Sequence, residues 1–293
     1  MRVTQTQAHR AQLLEARRKK ADAADAAKIA SSGRRITRPS DDPAGARRAL
    51  LVKAASEDYA IGRSKIDHAG AEHARREGAL DEMTGRLTRA REVALSMANA
   101  TMSASERSAA AAEIVEIKST LVELGNTRFL DRYLFAGSAT NAAAFDAAGT
   151  YQGNADEITV VLPGGVESPV TADGGALLRG TGGDQDVIGA LDGLIAGLQG
   201  NNVVAIRAGL DEVAASIDHV IETRSELGAD VGLLENLDAI FETAEISLED
   251  HRAQIEEADI VEAYSAVVQT RGAYEQALQV TAKSRTPSIF DLL

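Results

Sequence analysis

Leu210, Val213, Ile217, Val220, Arg224, Leu227, Val231, Leu234, Asp238, Phe241, Glu245 and Leu248 follow one another in alternating steps of three and four. Spacing of this kind lines one face of a helix and describes the seam of a coiled coil or long bundle. Shorter stretches repeat it: Leu80, Met83, Leu87, Ala90, Ala94 and Met97, then Ile114, Ile117, Leu121 and Leu124, and finally Ile260, Tyr264, Val267, Arg271, Tyr274 and Leu278. Arg224, Asp238, Glu245 and Arg271 interrupt the stripes, either as paired register devices or as solvent-facing positions.

The remaining chain agrees with long helices. Alanine is abundant, aromatics are 3% of the 293 residues, and there are five prolines. From Val3 to Ser32 neither Gly nor Pro occurs, and the apolar stripe (Val3, Leu13, Leu14, Ile29) is thin, so this helix needs partners. The stretch "SSGRRITRPSDDPAGARRAL" (Ser31–Leu50) then reads as a joint. Gly33 stops one helix at a C-terminal cap, and Arg34 and Arg35 follow in the turn. Asp41 and Asp42 precede Pro43, an N-cap acceptor before a first-turn proline, and a second helix starts there. A break near Ser105, Glu106 and Ser108 divides the helical run before residue 130.

The middle is different in kind. Five of the ten aromatics (Phe129, Tyr133, Phe135, Phe145, Tyr151) fall together, and Phe129, Tyr133, Phe135 and Phe145 are taken as the anchor of an insertion. β-Rich runs on either side of Pro163-Gly164-Gly165 predict a hairpin, and helices resume near Asp184. The expected fold is mainly α: an elongated rod of long antiparallel helices formed by both chain ends, with a small β-rich insertion. Its expected parts are a terminal arm over 1–43, rod halves over 44–140 and 184–250 around the insertion at 141–183, and a second arm over 251–293.

Charge and chemistry narrow the function classes. Net charge is −13, yet thirteen basic residues face five acidic ones up to Lys53, whereas nine acids face four basic residues from Glu245 on. Opposite charge on the two ends suits helices lying against each other, and the basic end lacks the interleaved aromatics of a nucleic-acid arm. No nucleic-acid or membrane partner is expected. The run "VIGALDGLIAGL" (Val187–Leu198) is too short for a span, and the N-terminus lacks the apolar segment of a cleavable signal. There is no cysteine, which excludes disulfides and thiolate metal sites. The five histidines show no metal-ligand spacing and read as solvated helix surface, and "RGTGGDQD" (Arg179–Asp186) reads as a turn, not a phosphate loop. No nucleophile, base and oxyanion site assembles, so no catalytic residue, cofactor or metal is assigned and no enzyme is expected.

Three segments resemble a known family. "IASSGRRITRPSDDPAGARRA" (Ile29–Ala49) is similar to the joint between the first two helices of flagellin-like proteins, and Leu87–Phe129 resembles their inner-rod helices. Within that superfamily the opening "MRVTQ", the segment "DRYLFAGSATNAAAFD" (Asp131–Asp146) and the ending "SIFDLL" resemble the third hook-associated proteins, which form the hook–filament junction. Asp131 stands where Gly or Asn is common in them. The resemblance implies export through the flagellar type III channel and an extracellular place at the distal end of the hook. It implies hook-associated protein 1 and flagellin as neighbours, self-association in a ring, and an export chaperone that binds the C-terminal helices. Val3, Leu13, Leu14 and Ile29, with Ile260, Tyr264, Val267, Tyr274 and Leu278, are the expected subunit-packing seams. A short flagellin forming the filament itself and a cytoplasmic coiled-coil adaptor are the alternative readings.

Overall fold

The computed structural model describes residues 2–162 and 164–283, the first five of these by their helical backbone alone. The expected Val3 side chain and the "SIFDLL" ending lie outside what is described, as does Pro163. The fold is mainly α with a small β insertion: α1 (Arg2–Ser32), α2 (Pro43–Met97) and α3 (Ala104–Gly125) precede β1 (Arg128–Phe129), β2 (Arg132–Tyr133), β3 (Thr159–Val161) and β4 (Glu167–Pro169). Then follow α4 (Gly174–Arg179), α5 (Val187–Gln199), α6 (Val203–Glu256) and α7 (Ile260–Lys283). Contacts divide the chain into two compact units, one made of the residues up to Asp58 together with those from Thr243 on, the other of Tyr59–Glu242.

In the first unit α1 packs along α7. The seam is made of small residues. On α1 the steps His9, Gln12, Ala16, Lys19, Ala23, Ala26 and Ala30 run inward, with Ala16 and Ala26 buried. On α7 the inward positions include Ala263, Ala266, Thr270, Ala277 and Thr281, with Ala263 and Thr281 buried. Thr270 and Thr281 donate their hydroxyls to Ala266 O and Ala277 O of the preceding turn, which leaves their methyls for the partner helix. Small residues let two backbones approach closely, but each alanine methyl contributes only about 0.8 kcal/mol of burial. The contact is long and weak per residue.

The second unit holds the main core. Leu80, Met83, Leu87, Ala90 and Ala94 of α2 meet Ile114, Ile117 and Leu121 of α3, Leu191, Leu194 and Leu198 of α5, and Ile206, Val213, Val220 and Leu227 of α6. On α6 every seventh residue from Val213 to Phe241 is buried, and the intervening seam positions lie at the edge. Two of those edge positions carry the charges that break the sequence pattern, and both are paired with α2. Arg224 reaches Glu77 at 2.6 Å and Asp81 at 2.9 Å, and Asp238 accepts from Arg63 at 2.8 Å. These pairs fix the relative register of α2 and α6 within this unit.

The breaks between helices have local causes. Ser103, and not Ser105, caps α3: its hydroxyl accepts from Glu106 N while the Glu106 carboxylate accepts from Ser103 N, a reciprocal capping box. Asp186 caps α5 by accepting from Gly189 N. The turn from α5 to α6 at Gly200–Asn202 has no counterpart in the sequence reading. Asn201 there is left-handed (φ 51°), and Asn202 accepts from Val204 N and Ala205 N. Buried Arg107 ties these ends together, donating to Met97 O, Asn99 O and the Asn201 side chain.

Candidate functional site

The joint gathers every residue that the sequence assigns to it. Gly33 is left-handed (φ 67°) and its N–H donates to Ile29 O, which ends α1. A second break, between α6 and α7, lies directly alongside. Arg34 pairs with Glu257 in an antiparallel bridge, Arg35 N donates to Glu256 O at 2.7 Å, and Ala258 N donates to Gly33 O at 2.9 Å. The two arginines serve the same contact, with Arg34 3.8 Å from Glu256 and the Arg35 guanidinium donating to Ile255 O and Asp42. Both helical arms therefore start from one hydrogen-bonded clasp.

Asp41 and Asp42 organise the other side of the joint. One Asp41 oxygen accepts from Arg38 N at 2.8 Å, Thr37 N at 3.1 Å and the Thr37 hydroxyl. These bonds, the one from Arg38 N foremost, hold its carboxyl below the ordinary value of 3.8. Asp42 accepts from Gly45 N at 2.9 Å and so caps α2 ahead of Pro43, and this bond lowers its carboxyl as well. Ile36 is buried beneath, so close to Gly45 that a side chain there would meet Ile36 and Asp42 at 2.4–2.5 Å. Replacing Asp41 by Ala is expected to speed amide exchange at Thr37 and Arg38 while the helices stay intact; unchanged exchange would deny it this ordering role. Because the folded value is depressed, Asp41 stabilises the joint at pH above 3.8, and this is lost as pH falls through the lower folded value.

The expected packing seams do not form the α1–α7 contact. Leu13, Leu14, Ile260, Tyr264 and Leu278 are exposed, and Ile29, Val267 and Tyr274 are half-buried at the edge. Val261 and Val268, which the spacing argument missed, are each 72% exposed. With Ile260 and Tyr264 they form one continuous apolar face of α7, rotated away from its alanine seam. The overlooked signal was a second apolar stripe beside the first. A surface of this size on a soluble chain marks a docking face.

The insertion is anchored by the expected aromatics. Phe135 and Phe145 are fully buried in the main core, and Phe129 and Tyr133 pack half-buried against it. Asn126 holds Phe145 from both sides, donating to Phe145 O and accepting from Phe145 N, each at 2.9 Å. Gly125 and Gly174 lie so near the ring that a Cβ on either would sit 2.8–2.9 Å from it. The hairpin pairs β3 with β4 as predicted, and Leu162 and Val170 join Ile66, Ala69, Leu234 and Phe241 in a second cluster.

One histidine departs from the solvated-surface expectation. His73 of α2 is completely buried, because the insertion covers that face of the helix. Its Nδ1 lies 3.0 Å from the Arg76 guanidinium and its Nε2 3.2 Å from Ser168 Oγ. Burial, with the Arg76 charge second, lowers its pKa to about 4. Arg76 also donates to Thr171 O and Pro169 O, and Glu72 takes Arg132. The α2 face at 72–76 thus grips the insertion through a buried polar cluster, invisible in a pattern that counts only apolar residues. Among the described residues no group of three His, Asp or Glu side chains is placed to hold a metal.

Comparison with known proteins follows from this geometry. The family model for the bacterial flagellin N-terminal helical region matches residues 3–140. The flagellar hook-associated protein 3 of Salmonella typhimurium is 26% identical over 288 residues, covering 89% of this chain and 90% of that protein. Among solved structures, Bacillus cereus FlgL superposes with a TM-score of 0.63 at 24% identity, covering 69% of this chain and 99% of its own. The flagellar junction protein FlgL from Legionella pneumophila gives 0.57 at 15% identity, covering 73% and 100%. These matches bear out the flagellin-like, hook-associated resemblance read from the residues, and the two structures share the fold.

Proposed function

We infer that this chain, a flagellin-like protein resembling hook-associated protein 3 over most of its length, is a structural subunit of the bacterial flagellum at the hook–filament junction. It leaves the cell unfolded or partly folded through the flagellar type III channel and is assembled as a ring, with hook-associated protein 1 on the hook side and flagellin on the filament side. Its five sequence parts act as two arms, a rod and an insertion, and only the arms acquire their order on assembly. The observation that carries this reading is the exposed apolar face of α7 beside an alanine-only intrachain seam. Helices held so lightly are completed by neighbours, so the energy of ordering them is supplied where subunits meet. Before assembly the same face suits the groove of an export chaperone. The roles are structural, and no reaction is assigned to the chain.

Immuno-electron microscopy is expected to place the protein at the hook tip. Cells lacking it are expected to build hooks yet shed flagellin monomers into the medium, and normal attached filaments would end the junction assignment. A second reading, a short flagellin, is favoured by the match to the flagellin N-terminal region. Abundance separates the two: a filament subunit is a major band in sheared flagella, a junction subunit a trace one.

A further inference from the structure

We propose that the β3–β4 hairpin is a proton-released flap, freed from α2 when His73 takes up a proton and can no longer serve both Arg76 and Ser168. The two contacts of the imidazole define its state. Arg76 offers only donors, so Nδ1 must accept, and Nε2–H therefore donates to Ser168 Oγ of β4. A second proton would fall on Nδ1, facing the guanidinium, in a site where no water reaches the ring. The imidazolium and Arg76 would then repel each other inside a buried contact.

Arg76 is the other half of the hold. It donates to Pro169 O and Thr171 O on the strand that leaves β4, and Thr171 Oγ1 in turn accepts from Ile158 N ahead of β3. Displacing the guanidinium thus loosens residues 158–171 as a unit. Two atoms of the cluster have no hydrogen-bond partner in the docked arrangement: Arg76 Nε and Glu72 Oε2. They belong to residues four apart on α2, the spacing at which a glutamate and a following arginine pair on a helix surface. Release lets Glu72 and Arg76 satisfy each other, so both states have a consistent set of bonds.

The charged groups facing the cluster come from every neighbouring element. On α2 they are Glu72, Arg76 and, 3.8 Å from Glu72, His68; β2 supplies Arg132, the segment before β3 supplies Glu157, and α6 supplies Asp230. The sign for His73 is fixed by its lowered value of about 4 against 6.5: the docked flap binds fewer protons than the released one. Docking is therefore complete above 6.5 and weakens as pH falls toward 4. Glu157 acts oppositely, since burial raises its carboxyl, so the His73 contribution must be read as a difference between variants. From those two values the opening constant at pH 5.0 is roughly thirtyfold larger than at pH 7.5.

The test is hydrogen exchange by mass spectrometry on the full chain and on His73→Gln, at pH 7.5 and pH 5.0. Comparing the two proteins at one pH cancels intrinsic rates. The expected result is that hairpin exchange in the parent relative to the variant rises on the order of thirtyfold between the two pH values, while α3 and α5 amides stay protected. An unchanged ratio, or equal loss of protection in α3 and α5, overturns the flap. If His73→Gln does not fold, imidazole NMR of the parent chain decides: one ring is expected to stay neutral at pH 5.5, and protonation of all five by that pH overturns the proposal.

Discussion

A chain ending at Ala258 is expected to keep the unfolding transition of its second unit and to lose incorporation into flagella altogether. The truncation removes α7 and the apolar face of Ile260, Val261, Tyr264 and Val268, but leaves Glu256 O and Ala258 N to hold the joint. None of the buried residues of the main core lies beyond Leu227, and those of the second cluster end at Phe241. Circular dichroism should therefore show a preserved cooperative melt with a helical loss matching α7 and its deserted partner α1. Incorporation, measured in sheared flagella, should vanish. Loss of the melt itself would show that arms and body are one folding unit and would end the two-part account.

Phe145→Ala should produce the largest change in the stability of the body. The ring is fully buried, lies 5.3 Å from Tyr151, and fills space that Gly125 and Gly174 leave vacant. Truncating a buried phenylalanine typically costs about 3–5 kcal/mol. For a unit of this size that corresponds to a fall in melting temperature on the order of 10 °C. The reciprocal bonds between Asn126 and the Phe145 backbone remain, so the loss reports the ring rather than the loop. A shift within about 2 °C, a small fraction of that expectation, would place the aromatic outside the supporting core.

Both expectations draw on features that were legible to different degrees. The three-four stripes of α2, α3 and α6 became core because periodicity reports which residues share a face, and any partner helix buries that face. Gly33 and the Asp42-Pro43 pair marked helix ends because caps act within one turn of chain. The stripe on α7 had the right period but an outward position: the closest approach belongs to Ala263 and Thr281, and the larger residues beside them face away. Periodicity cannot distinguish a face that meets its own chain from one that waits for another.

The rest depended on which distant segments arrive together. Arg34 and Arg35 looked like a free basic turn until the α6–α7 break came to lie beside them and used both. His73 looked solvated because its neighbours along α2 are polar, and it is dry because the insertion, about ninety residues further on, closes over it. The sequence by itself determined helix faces, helix ends and a β hairpin, since these follow from backbone chemistry over a few residues. Only the tertiary structure decided burial of polar groups, the pairing of the two breaks and the unpaired face of α7, because desolvation and charge pairing are set by what lies opposite in space.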